Sequence, residues 1–168
     1  MKKLCLLMCL CLLGSVLAAQ VAKTINITTS GGLSSALTTT ELNSVTNLTI
    51  IGTIDARDFV TMRDKMPALA VLDISEVNIA AYTGTQGSAG TTNTAYYSST
   101  IPQYAFCEPN TLLGKSSLKS VSLPNTITSI GEAAFSFSSN LIDIIPINIL
   151  STSIRNSKIM QTTSQFHD

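Results

Sequence analysis

The densest set of side chains that could do chemistry is Asp55, Arg57, Asp58, Arg63, Asp64 and Lys65, six charges within eleven residues. Carboxylates so close together suit general acid–base work or a cation if they converge. Their mixed signs at i,i+3 and i,i+4 spacing predict instead a solvated helix face. Asp55, Asp58 and Asp64 also lack the alternating oxygen ligands of a calcium loop. Burial therefore discriminates: convergent, partly buried carboxylates favour a hydrolase-like site, and an exposed row favours none. The sole histidine, His167, has only Asp168 beside it, which excludes a zinc site or a histidine-based triad. No G-x-S-x-G occurs, and Gly84, Gly87 and Gly90 precede neither a helix nor a phosphate-binding Lys-Ser/Thr. No catalytic residue, cofactor or metal ligand is assigned, and the chain is not expected to be an enzyme.

Three tyrosines offer binding chemistry instead. Tyr82, Tyr96 and Tyr97 flank a Gly/Thr/Ser-rich stretch over 83–100 that reads as an insertion loop, functional or disordered. Their rings can stack on a sugar or a peptide, or pack against the body of the fold with their hydroxyls in water. Cys107 has two readings, a small buried hydrophobe or an exposed thiol open to an intermolecular disulfide. Asn26-Ile-Thr28 and Asn47-Leu-Thr49 match glycosylation sequons but fall in strand-like segments, where a structural role is expected.

The elements that must position these residues follow from apolar spacing. An Ile precedes a Phe by five positions at Ile54/Phe59, Ile101/Phe106 and Ile130/Phe135. Between them runs apolar-x-x-apolar-x-apolar: Val45, Leu48, Ile50; Leu69, Leu72, Ile74; Leu118, Val121, Leu123. The middle residues, continued to Ile144, advance by about one or two periods of 23–25 residues, which predicts a leucine-rich repeat. The fold class expected is α/β, a short solenoid of stacked strands with short helical or irregular returns. Its core is Ile54, Phe59, Leu72, Ile101, Phe106, Leu118, Val121, Leu123, Ile130 and Phe135. Residues 19–44 form an N-terminal cap, with an alternating strand at 24–28 and an amphipathic helix through Leu33, Ala36, Leu37 and Leu42. Residues 45–146 form the solenoid. Phe59, Met62 and Met66 share one face of a helix that Pro67 stops. Residues 147–168 are a degenerate tail, in which Ile149, Ile154 and Ile159 only roughly echo the repeat.

Residues 1–18 read as a signal peptide: Lys2 and Lys3, the apolar run Leu4 to Leu13, and Val16 and Ala18 before a cut at Ala19. The membrane enters only through this export signal. The whole chain carries 10 basic and 10 acidic residues, and no basic stripe tracks a phosphate backbone, so nucleic acid is excluded as a partner. Three of the four cysteines lie in the signal, so no disulfide framework is expected.

Ile101-Pro-Gln-Tyr-Ala-Phe106, Leu118-Lys-Ser-Val-Ser-Leu-Pro124 and Ile127-Thr-Ser-Ile-Gly-Glu-Ala-Ala-Phe135 follow one another in order. This text resembles the BspA-like leucine-rich repeat family of bacterial surface proteins, whose unit looks like L-x-x-V-x-I-P-x-x-V-x-x-I-G-x-x-A-F. Two departures stand out: Glu108-Pro109-Asn110 enlarges one turn, and Leu141 to Pro146 is one residue shorter than its counterpart. The resemblance implies an exported, secreted or cell-surface protein that binds a protein or glycan partner in adhesion. Two alternatives remain, an accessory or degraded segment of a secreted hydrolase and a truncated fragment of a longer repeat protein.

Overall fold

The computed structural model describes residues 20–145. The expected signal peptide and its cleavage point, the tail at 147–168 and His167 lie outside the described residues. Within them the chain forms β1 (Ala22–Ile27), α1 (Leu33–Ala36), α2 (Thr39–Ser44), β2 (Asn47–Ile54), α3 (Ala56–Asp64) and β3 (Val71–Ile79). There follow β4 (Tyr82–Gly84), β5 (Thr94–Tyr96), β6 (Thr100–Ile101), β7 (Ser120–Ser122), β8 (Ser129–Ile130) and β9 (Asp143–Ile145).

The main sheet is five-stranded and all parallel, in the order β1-β2-β3-β7-β9. Leu48 lies opposite Leu72, Leu72 opposite Val121, and Val121 opposite Ile144. The apolar spacing therefore states the register, because a slip of one residue would turn every apolar side chain outward. β1 joins the same sheet, with Lys23 opposite Leu48. β2 runs through Gly52, where φ is +95° and an added Cβ would collide with the Ile27 carbonyl of the neighbouring strand.

The leucine-rich solenoid expected from the spacing is corrected here. The architecture is a mixed α/β fold with one five-stranded parallel sheet and only about 15% helix. The strands recur but the connections between them do not. One is the pair α1 and α2, the next is α3, and the long one from β3 to β7 builds an antiparallel ribbon from β4 and β5 and contributes β6. Apolar spacing records which residues enter a core, and connections this unlike carry no common period. The single helix expected at 33–42 is likewise two, since Thr38 and Glu41 form a capping box that starts α2.

A second, two-stranded parallel pair joins β6 to β8, with Ile101 opposite Ile130. It continues irregularly as Tyr104 donates its N–H to the Glu132 carbonyl at 2.9 Å and Phe106 to that of Ala134 at 2.7 Å. Both segments turn at the same place, with positive φ at Tyr104 (57°) and Ala133 (51°), which aims each following Phe inward. Phe59, Phe106 and Phe135 then form a ladder. Phe59 meets Phe106 edge-on at 5.9 Å, and Phe106 stacks on Phe135 at 5.4 Å. Ile54, Leu72, Ile101, Leu118, Val121 and Leu123 are buried with them, and Ile130 packs half-buried against the cluster. Each buried Phe contributes about 1.5–3 kcal/mol, so these residues hold the connections to the sheet.

Candidate functional site

Strand alternation divides the main sheet into a buried face and an open one. On the open face Thr24, Thr49, Asp73 and Ser122 stand opposite one another across four strands. Asn47, Val71 and Ser120 form the adjoining row. A shallow groove of about 390 Å³ lies along these rows. Its polar groups are hydroxyls, an amide and the Asp73 carboxylate, which accepts the Ser75 N–H at 3.0 Å and its hydroxyl at 2.6 Å. At the β1 edge Lys23 is occupied by an ion pair of 2.6 Å with Glu41. That bond, with the Thr38 N–H and hydroxyl, holds the Glu41 carboxyl down at about 2. The row can hydrogen-bond an extended partner.

The charged cluster is only in part the solvated face its spacing predicts: Asp64 and Lys65 are exposed, and Asp55 and Asp58 are not. Asp58 is fully buried and accepts the N–H groups of Gly31 at 2.7 Å, Leu33 at 2.9 Å and Asp55 at 2.9 Å. Burial pushes its carboxyl upward, against the lowering effect of those three donors. Asp55, also buried, caps α3 through the Arg57 N–H at 2.9 Å and pairs with the Arg57 guanidinium at 2.6 Å. Its hydrogen bonds with Asp55 raise Arg57 further above its ordinary value. Arg57 also reaches the Ser30 carbonyl at 2.9 Å and lies 4.7 Å over the Tyr82 ring. The two carboxylates are both buried, as a hydrolase-like site requires. Yet backbone N–H groups and Arg57 occupy them, and neither lines a described cavity. Asp64 stands apart, exposed and paired with Arg63 at 2.7 Å. Among the described residues no group of three His, Cys, Asp or Glu could hold a metal ion.

The three tyrosines separate. Tyr82 and Tyr96 stack at 6.0 Å within the ribbon, and the Tyr96 hydroxyl accepts the Ala89 N–H at 2.8 Å. These two pack the ribbon onto itself. Tyr97 points away and is 76% exposed. The stretch 83–100 thus contains an ordered ribbon in place of a structureless loop. Arg63 helps to fix it by donating to the carbonyls of Ser88 and Tyr104, both at 2.9 Å. Lys115 reaches the C-terminal end of α3, donating to the Met66 carbonyl at 2.7 Å and the Arg63 carbonyl at 3.2 Å. Burial lowers its amine to about 8. Cys107 is buried, and that burial raises its thiol.

Of these roles, the caps at Thr38/Glu41 and Asp55/Asp58 had a local signal, an acceptor followed three residues later by an acid. The open row had one too, since Thr49, Asp73 and Ser122 advance by the same steps as Leu48, Leu72 and Val121. Arg63 and Lys115 had none, because their acceptors lie 25 to 52 residues away. No family model matches the chain, and no curated protein matches it. No helix among the described residues is long and apolar enough to cross a membrane.

Proposed function

We propose that this chain is an exported, non-enzymatic binding module that presents the open face of its parallel sheet to a protein or glycan partner. The supporting observation is the aligned row Thr24, Thr49, Asp73 and Ser122, a continuous polar track over four strands with a groove along it. A track of that form suits an extended macromolecule, with hydrogen bonds repeated at each strand spacing of about 4.8 Å. Export rests on the agreement of Lys2, Lys3, the Leu-rich run and Ala18. The resemblance of Leu118 to Phe135 to the BspA-like unit adds support for a surface adhesion role.

The test is retention of the secreted chain on panels of host cells, matrix proteins and glycans, compared with Thr49→Lys/Ser122→Lys. Two long cations in the track should weaken retention about tenfold or more while the thermal midpoint is kept. Absence of retention on every panel would defeat the reading. Intact-mass measurement should show a new N-terminus at Ala19 or Gln20, and Met1 retained on a cytoplasmic protein would contradict export.

One observation favours the hydrolase-segment reading, the burial of both Asp55 and Asp58. An open cleft reaching either carboxylate would be needed to sustain it. Hydrolysis of a glycoside or peptide panel that vanished in Asp58→Asn, with the fold intact, would restore that reading.

A further inference from the structure

We infer that a second site, the cleft beside Tyr97, binds the terminal ring of an uncharged or amino hexopyranose. The cleft measures about 150 Å³ and is lined by Tyr96, Tyr97, Thr100, Pro102, Gln103 and Glu132. It shares no residue with the open face of the sheet, so it stands or falls separately from the function proposed above.

The side chains around it divide into support and display. Tyr96 is buried and pinned by the Ala89 N–H, with Tyr82 stacked on it and Arg57 over Tyr82. Thr100 is engaged with the Ser129 hydroxyl at 2.9 Å. By contrast, Tyr97 exposes 76% of its surface, and the side chains of Gln103 and Glu132 have no hydrogen-bond partner among the described residues. Gln103 and Glu132 sit on two backbone segments clamped together. Tyr104 N–H bonds the Glu132 carbonyl, and a Cβ at Gly131 would strike the Gln103 backbone. A platform already held rigid loses little entropy when a ligand arrives.

The ligand class follows from these groups. An aromatic face is electron-rich, and the axial C–H face of a pyranose presents weakly positive hydrogens to it. An amide and a carboxylate at the rim then match ring hydroxyls, as donor and acceptor. The cleft is smaller than the roughly 300–1,000 Å³ of a drug-sized site, so it takes one ring at a chain end. Among the described residues Glu132 is the only charged side chain lining it, which disfavours a uronic acid and accepts an ammonium.

The experiment is saturation-transfer NMR on the full chain with the methyl glycosides of glucose, galactose, glucosamine and glucuronic acid. Transfer to ring protons is expected for at least one of the first three, and about tenfold weaker binding of the glucuronide. Tyr97→Ala should weaken binding about tenfold, whereas Tyr97→Phe should keep it, because the ring face is retained. Glu132→Gln should erase the discrimination against the glucuronide. Tyr97 and Glu132 are both exposed, so these variants should keep the fold, and a circular-dichroism spectrum checks it. No transfer from any glycoside, or transfer undiminished in Tyr97→Ala, overturns the inference.

Discussion

The sheet side and the connection side of this chain are built on different principles. On the sheet side, one spacing places Leu48, Leu72, Val121 and Ile144 in register, and the outward residues follow the same steps. On the connection side, specific long-range polar contacts do the positioning: Asp58 to Gly31 and Leu33, Arg63 to Ser88 and Tyr104, Lys115 to Met66. Strand pairing satisfies backbone groups in bulk, so nearly any apolar-alternating strand can join. Irregular connections must find a partner for each buried N–H and C=O, so individual side chains decide them.

The largest expected loss falls where the two sides meet. Phe106 touches both Phe59 and Phe135 and is fully buried, so Phe106→Ala should destabilise by about 3–5 kcal/mol in chemical denaturation. A loss below about 1 kcal/mol would mean that the aromatic ladder does not join the connections to the sheet.

Next is the polar clamp. Asp58→Ala removes the acceptor of three N–H groups, two of them from the 31–33 turn, and should cost about 3 kcal/mol. Asp58→Asn keeps one oxygen and should cost less. Hydrogen exchange at Gly31 and Leu33 locates the effect. If those amides stay as protected in Asp58→Ala as before, single polar side chains do not decide the connections.

Lys115 supplies a smaller effect with a characteristic sign. Its amine titrates at about 8 in the fold and at 10.5 ordinarily, because burial disfavours the charged form. Between about pH 8 and 10.5 the unfolded chain binds more protons, so stability from this group rises with pH. The slope reaches at most about 1.4 kcal/mol per pH unit. Lys115→Met should remove that rise, while leaving two carbonyls without their donor. Identical slopes in both proteins would show that Lys115 is not held where its contacts place it.

The same contrast explains what was legible in the sequence. Register, the buried face of α3 through Phe59 and Met62, and the Ile/Phe anchors all follow from apolar spacing, because burial of apolar area is what spacing encodes, although the helix ends at Asp64, ahead of Met66 and Pro67. Helical periodicity treats charges as solvent-facing, which holds for Asp64 and Lys65 and fails for Asp55 and Asp58. Asp55 and Asp58 are inside, since a helix N-terminus and a tight turn bring enough N–H donors to hold them. The ribbon at 82–96 was invisible because it is organised by hydroxyls and ring stacking within a Gly/Thr-rich text. Of the tyrosines, sequence position alone could not tell that Tyr96 is buried and Tyr97 is exposed; strand alternation, once the ribbon exists, does.

The smallest effect is the sharpest control on the packing. Phe137 lies two residues beyond Phe135 and is chemically identical, yet it is 58% exposed while Phe135 is 6% exposed. It also adopts φ of +57°, a conformation that strains a side chain with a Cβ. Phe137→Ala should therefore change stability by less than about 0.5 kcal/mol, against about 3–5 kcal/mol for Phe135→Ala. Phe137→Gly should be neutral within about 0.5 kcal/mol or stabilising, because relief of the positive φ offsets the entropy that glycine adds to the unfolded chain. Urea titration of the three variants beside the parent separates these outcomes. Equal losses at Phe135 and Phe137 would mean that the turn after β8 packs in another register, with Phe137 facing the ladder.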